Sequence, residues 1–264
     1  MAVIFYLSGT GNSLYTAKNI AQNLDACRLE GITGYLKAPY EVQDEVVGIV
    51  CPVYCMALPP LVAKFLRQVK MLPQYIFLVV TMGAMSGQAL GEGKELLLER
   101  ELRLSYGAQV MLPDNSIILP SPLERQEHML QAAPAEIRLI ARNISNRYDN
   151  YQHLNRSWLW KKGGTAIGWW VLEKIKNIDA LRCDAEKCVG CGVCATVCPV
   201  GNITLTDGQP AFGAACVHCL GCLHWCPQNA LSAGSLKPDA KTRFTNPAVT
   251  AADLAVQKER TDAE

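Results

Sequence analysis

The sequence predicts an α/β protein, a doubly wound parallel sheet of five strands followed by a small α+β domain, on three observations. Apolar runs that do not alternate are separated by helical patterns, a glycine-rich turn follows the first run, and eight of the 12 cysteines crowd into the stretch from Cys188 to Cys226. Strands that read as continuous apolar runs are buried on both faces, as in a parallel sheet covered by helices. At 264 residues the chain exceeds the roughly 100–200 residues of one ordinary domain, so a large unit and a small one are expected.

The elements follow in order. Residues 2–7 are apolar, β-branched and aromatic, and end in Ser8-Gly9-Thr10-Gly11-Asn12-Ser13. Leu14, Ala17, Ile20, Ala21 and Leu24 then recur at helical spacing, which makes the segment a strand, a turn and a helix. A weak strand is expected near Cys27–Leu29 and stronger ones at about 46–51, 75–81 and 108–112. Helical patterns run over about 58–70, 88–105 and 123–147. The expected division is a first domain over 1–147, a connector over 148–182, a cysteine-rich domain over 183–233 and a polar tail over 234–264. The connector is rich in tryptophan (Trp158, Trp160, Trp169, Trp170) and carries Arg156, Lys161, Lys162, Lys174, Lys176 and Arg182. Packing between the two domains is the expected use of its aromatic area. The tail, rich in Ala, Thr, Lys and Asp, is expected to be poorly ordered or locally helical.

Lys+Arg 25 against Asp+Glu 24 gives a formal net charge of +1, so no nucleic acid or other polyanionic partner is expected on electrostatic grounds. The apolar opening lacks a basic leader and a small-residue cleavage site. No run reaches the roughly 18 apolar residues of a spanning helix. A reducing, cytoplasmic setting follows as the expectation, and it disfavours a disulfide framework.

The cysteines form a duplication. Cys188-Val-Gly-Cys191-Gly-Val-Cys194-Ala-Thr-Val-Cys198-Pro199 recurs as Cys216-Val-His-Cys219-Leu-Gly-Cys222-Leu-His-Trp-Cys226-Pro227. Both copies have the C-x₂-C-x₂-C-x₃-C-P spacing that holds [4Fe–4S] cubanes, with the cysteine before proline ligating the other cluster. The expected ligand sets are therefore Cys188, Cys191, Cys194 and Cys226 around one cluster, and Cys216, Cys219, Cys222 and Cys198 around the second. Paired zinc sites need neither the third and fourth cysteines nor the trailing proline. Cys27 and Cys183 fall outside the pattern and are read as structural; Cys51 and Cys55, which flank the loop after the third strand, are read as small buried hydrophobes, with a redox pair as the alternative.

The turn after the first strand lacks the third glycine of a dinucleotide fingerprint and the Gly-Lys-Ser/Thr of a triphosphate loop. It supplies hydroxyls and free amides at a helix N-terminus instead, a setting that suits a monoester phosphate.

The strand followed by Ser8-Gly9-Thr10-Gly11-Asn12-Ser13 resembles the FMN phosphate loop of flavodoxins, and residues 183–233 resemble a bacterial dicluster ferredoxin. The whole chain is similar to flavodoxin–ferredoxin fusion proteins. That resemblance implies a flavodoxin-like first domain with FMN, whose phosphate meets Ser8, Thr10, Gly11, Asn12 and Ser13. It also implies that two further strand-end loops clasp the isoalloxazine, here Pro52, Val53 and Tyr54 after the third strand and Thr81, Met82, Gly83 and Ala84 after the fourth. The implied activity is electron transfer between FMN, two [4Fe–4S] clusters and a redox partner protein or small-molecule donor or acceptor. Two classes stay open: an oxidoreductase with a substrate at the flavin edge, and a ferredoxin-type carrier or redox-sensing adaptor that turns over nothing. No residue stands out as a general acid, base or nucleophile.

Overall fold

The architecture comes from a computed structural model, which describes residues 1–114, 116–117, 120–154, 164–170, 173, 177–239 and 241–259. Its first half runs β1 (Ala2–Tyr6), α1 (Asn12–Ala21), β2 (Cys27–Gly31), α2 (Ile32–Lys37), β3 (Glu41–Val42), β4 (Val46–Pro52), α3 (Pro60–Gln68), β5 (Lys70–Met71), β6 (Tyr75–Met82), α4 (Ala89–Leu98), β7 (Tyr106–Met111) and α5 (Leu123–Ser145). The main sheet has the order β2-β1-β4-β6-β7, with every pair parallel. Counting only its own strands, that order is 2-1-3-4-5, the doubly wound arrangement of flavodoxins.

The sheet separates two apolar layers. Val3, Phe5, Ile49 and Val80 face α3 and α4, whereas Ile4, Tyr6, Val50 and Val79 face α1 and α5. Successive residues of β1 and β4 thus feed opposite layers, which is why both strands read as unbroken apolar runs. Each of the larger side chains buried there contributes about 1.5–3 kcal/mol. β2 reads weakly because Arg28 and Glu30 interrupt it. The two are partners, with Arg28 Nε 2.8 Å from Glu30 Oε1 and Arg28 Nη1 2.6 Å from Asp44 Oδ1. β3 and β5 pair only with each other, through two residues apiece, and α2 is a short helix; none of these has a pattern long enough to read in advance.

The second half contains α6 (Gly164–Trp170), β8 (Leu181–Cys183), α7 (Val193–Val197), β9 (Ile203–Thr206), β10 (Gln209–Phe212), α8 (Gly221–Trp225), β11 (Leu231–Ala233) and α9 (Ala251–Ala255). β8 pairs antiparallel with β11, and β9 with β10. Trp158, Trp160, Arg156, Lys161, Lys162, Lys174 and Lys176 lie outside the described residues, as does the side chain of Trp169. Trp170 is exposed.

Of the two expectations for the tail, the described residues show the local helix. Up to Glu259 its described residues fold back along the first domain and include α9, started by a capping box between Thr250 and Asp253. Lys18 Nζ meets Asp253 Oδ1 at 2.5 Å. Gln257 is fully buried, accepting from Ser8 N and donating to Ser8 O, both at 3.0 Å. These polar groups satisfy buried backbone of β1's exit rather than water. Among the described residues no helix is long and apolar enough to cross a membrane.

Candidate functional site

The eight cysteines divide into two sets in space. Cys188, Cys191, Cys194 and Cys226 line one small cavity with Leu205, Pro210 and Leu231. Cys198, Cys216, Cys219 and Cys222 line another with Ile178, Pro199 and Ile203. Each set joins three close cysteines to the one that precedes proline in the other copy. α7 and α8 end at Cys198 and Cys226, and these helices pack on each other, which carries each terminal thiol across to the opposite site.

Backbone amides point at the sulfurs. Asn202 N lies 3.2 Å from Cys198 Sγ, Ala230 N lies 3.3 Å from Cys226 Sγ and His218 N lies 3.5 Å from Cys216 Sγ. Burial pushes the Cys219 thiol up to about 12, with the neighbouring Cys198 and Cys216 adding to it, and pushes Cys222 well above its ordinary range. Thiols held so ionise when bound iron supplies the compensating charge. Four soft donors per site with N–H groups aimed at them suit an iron–sulfide cubane.

A larger cavity of about 430 Å³ opens at the carboxyl ends of the sheet strands. It collects Ser8, Thr10, Asn12 and Ser13 from the turn after β1, Pro52, Val53 and Tyr54 from the loop after β4, and Thr81, Met82, Gly83 and Ala84 from the loop after β6. The structure thereby brings together eleven of the twelve residues singled out in the sequence for the flavin. The twelfth, Gly11, turns away from the cavity: its φ is +99°, and a β-carbon there would lie 3.0 Å from the Cβ atoms of Asn246 and Val249 in the tail.

The turn is held by side-chain bonds of its own residues. Gly11 N donates to Ser8 Oγ at 3.2 Å, and Ser13 Oγ meets Thr81 Oγ1 at 2.8 Å. The side chain of Asn12 donates to Pro113 O and accepts from Asn246 Nδ2, each at 3.0 Å. The first intrahelical bond of α1 runs from Tyr15 N to Gly11 O, so the amides of Asn12, Ser13 and Leu14 have no helical acceptor. Among the described residues lining the cavity there is neither Lys nor Arg. Amides and a helix dipole can hold a phosphate monoester without them.

Several cavity walls lie outside the residues singled out for the flavin. His218, Cys219 and Leu220 come from the second cysteine motif, Ile178 and Leu236 from either side of it, and Asp114 from the loop after β7. Burial pushes the Asp114 carboxyl up, against hydrogen bonds from the amide and side chain of Ser116 that pull it down. His224 is fully buried and accepts from Phe244 N through Nδ1 at 3.0 Å. His218 Nε2 meets Asp179 Oδ1 at 2.5 Å.

Cys51 is fully buried in the layer facing α3, with its thiol pushed far up by burial. Burial holds Cys55 at about 11, with Glu173 adding to it. Both therefore stay thiols rather than reactive thiolates.

The junction between the two halves is tight. Trp225 Nε1 donates to Gly9 O at 3.0 Å, and a β-carbon at Gly9 would lie 2.7 Å from Cys219 O. Tyr54 is 9 % exposed, and its backbone is closed by paired bonds with Ala57 at 2.9 Å. Among the described residues its buried hydroxyl has no hydrogen-bond partner. Burial pushes the Tyr54 hydroxyl far above its ordinary range, and Cys219, Cys51 and Cys216 raise it further, so it keeps its proton.

A flavodoxin-type sheet joined to a two-site cysteine module of ferredoxin spacing is the class this fold and site define, that of the electron-transfer proteins. The 4Fe-4S binding domain family matches residues 184–204. An uncharacterized ferredoxin of Methanocaldococcus jannaschii is 37% identical over 68 residues, which are 24% of this chain and 88% of that protein. The chain belongs to the 4Fe–4S ferredoxin family, and its N-terminal sheet has the doubly wound 2-1-3-4-5 order. Among solved structures, the two-electron reduced flavodoxin of Megasphaera elsdenii is similar at 19% identity and a TM-score of 0.31, covering 51% of this chain and 99% of its own. A flavodoxin of Streptococcus pneumoniae is similar at 14% identity and a TM-score of 0.33, covering 53% and 98%.

Proposed function

We infer that the chain is an electron-transfer flavo-iron–sulfur protein that relays electrons between FMN, two [4Fe–4S] clusters and an external redox partner or substrate. The observation that carries this reading is a shared wall. Ile178, His218, Cys219 and Leu220 line both the large cavity and the second cysteine site. A ring held in the cavity is then a direct neighbour of a cluster held by Cys216, Cys219, Cys222 and Cys198.

When bound, a flavin exchanges electrons singly or in pairs and a cubane exchanges them singly; the protein contributes distance, polarity and access. In this reading residues 1–147 hold the flavin and residues 183–233 hold the clusters. The amides opening α1 and the hydroxyls of Ser8, Thr10 and Ser13 hold the phosphate. Pro52, Val53, Tyr54 and the Thr81–Ala84 loop hold the ring. The first cysteine site lies at the surface, with Cys191 exposed and Val189 and Leu205 exposed to 64% and 43%. It is the side from which a partner protein reaches the clusters.

An anaerobic absorption spectrum of the purified protein tests the reading. A resolved flavin double band above a broad iron–sulfur shoulder supports it. A shoulder alone removes FMN and leaves a ferredoxin-type carrier or redox-sensing adaptor.

A further inference from the structure

His218, Cys219 and Leu220 of the second cysteine motif form one wall of the large cavity. His218 and Leu220 each have a φ of +55°, in the left-handed region that side chains rarely adopt and that persists where the surroundings over-determine it. Within the chain, Leu223 N and His224 N donate to Leu220 O at 3.0 and 3.2 Å, and His218 N lies 3.5 Å from Cys216 Sγ. Cys216, Cys219 and Cys222 bracket the two residues, so a cluster that ties these three sulfurs to one rigid body fixes the backbone between them. The same segment presses on the turn after β1. A β-carbon at Gly9 would lie 2.7 Å from Cys219 O, one at Gly221 would lie 2.8 Å from Gly9 O, and Trp225 Nε1 donates to Gly9 O at 3.0 Å. Among the described residues the first cysteine site shares no lining residue with the large cavity.

We propose that the second cluster completes the flavin site: FMN binds tightly to protein in which Cys216, Cys219, Cys222 and Cys198 hold their cluster, and bound FMN in turn holds that cluster in place. This rests on the cofactor assignment made above. With the sulfurs untied, His218 and Leu220 relax toward ordinary backbone angles, and the cavity loses the wall they form. Coupling between two sites is reciprocal, so the factor by which the cluster raises flavin affinity is the factor by which flavin raises affinity for the cluster. The first cluster, whose site stands apart from the cavity, has no such effect. A flavin is then held only where its redox neighbour is already present.

The test is anaerobic titration of FMN into flavin-free wild type, Cys222→Ala and Cys194→Ala, followed by quenching of flavin fluorescence, with iron, sulfide and electron paramagnetic resonance measured on every sample. Cys222 and Cys194 hold the same place in the two motifs and neither lines the large cavity, so each change removes a cluster ligand without touching the flavin. The expected result is a Kd for FMN about 5- to 150-fold higher in Cys222→Ala, with wild-type affinity in Cys194→Ala. Cys222→Ala that lacks the second cluster yet binds FMN as tightly as wild type overturns the coupling and leaves the relay intact. So does Cys194→Ala that keeps the second cluster and is weakened as much. Wild type that carries both clusters and binds no FMN overturns the relay as well. Where either variant loses all its iron, or Cys222→Ala keeps its second cluster, wild type decides: a chelator draws out its iron with and without FMN. Slower release from one cluster in the presence of FMN supports the coupling, and release changed alike for both, or for neither, overturns it.

Discussion

Gly9 and Cys219 meet backbone to backbone, so close that a β-carbon on the first would stand 2.7 Å from the carbonyl oxygen of the second. The same approach repeats from the other side, where a β-carbon at Gly221 would lie 2.8 Å from Gly9 O. The turn after β1 and the second cysteine motif are thus one surface rather than two neighbouring ones, and changes to either are felt in both.

Gly9→Ala is expected to push these backbones apart, because a carbonyl cannot yield as a flexible side chain does. The strain is about 1–3 kcal/mol, read as a lower unfolding midpoint, with loss of flavin and of iron from the second site. Normal midpoint, flavin and iron in the variant would contradict the contact.

Gly11→Val acts by a different route. The position has φ +99° and faces Asn246 and Val249 rather than the cavity, so the added side chain strains the turn by about 1–3 kcal/mol and displaces the tail. Flavin affinity is expected to fall about tenfold or more, with iron content unchanged. Flavin binding as tight as in wild type would show that the turn does not hold the phosphate.

These two glycines mark how far the sequence could be read. The cysteine spacing and the Ser8–Ser13 turn are local patterns, and a short apolar strand before a helix predicts where the turn lies. The partners of the turn are not local. Trp225, Asn246 and Gln257 reach Gly9, Thr10, Asn12 and Ser8 across more than two hundred residues, and no periodicity records such contacts. The tail's content of Ala, Thr, Lys and Asp gave no sign that Gln257 and Asn246 are buried as hydrogen-bond partners of the turn. Gly11 was legible as a turn residue, but not that its crowding comes from the tail.

Gln257→Ala is expected to remove two buried hydrogen bonds and leave Ser8 N and O without partners. The cost is about 2–4 kcal/mol, measured as a lower denaturation midpoint, together with weaker flavin retention. A variant as stable as wild type would mean that the tail does not brace the turn.

Cys198→Ala is expected to damage the cluster of Cys216, Cys219 and Cys222, with which Cys198 shares a cavity, rather than that of its sequence neighbours. Cys226→Ala should injure the other site. The signal lost in Cys198→Ala should match that lost in Cys219→Ala. Loss of the same signal as in Cys191→Ala would mean that the two motifs bind separately.

The most direct measurement of the relay is flash photoreduction of the flavin in anaerobic holoprotein, with cluster absorbance followed afterwards. The shared wall at Cys219 predicts that clusters bleach as the flavin signal recovers, at a first-order rate that does not change with protein concentration. A rate rising in proportion to concentration, or clusters that stay oxidised while reduced flavin persists, would contradict transfer within the chain.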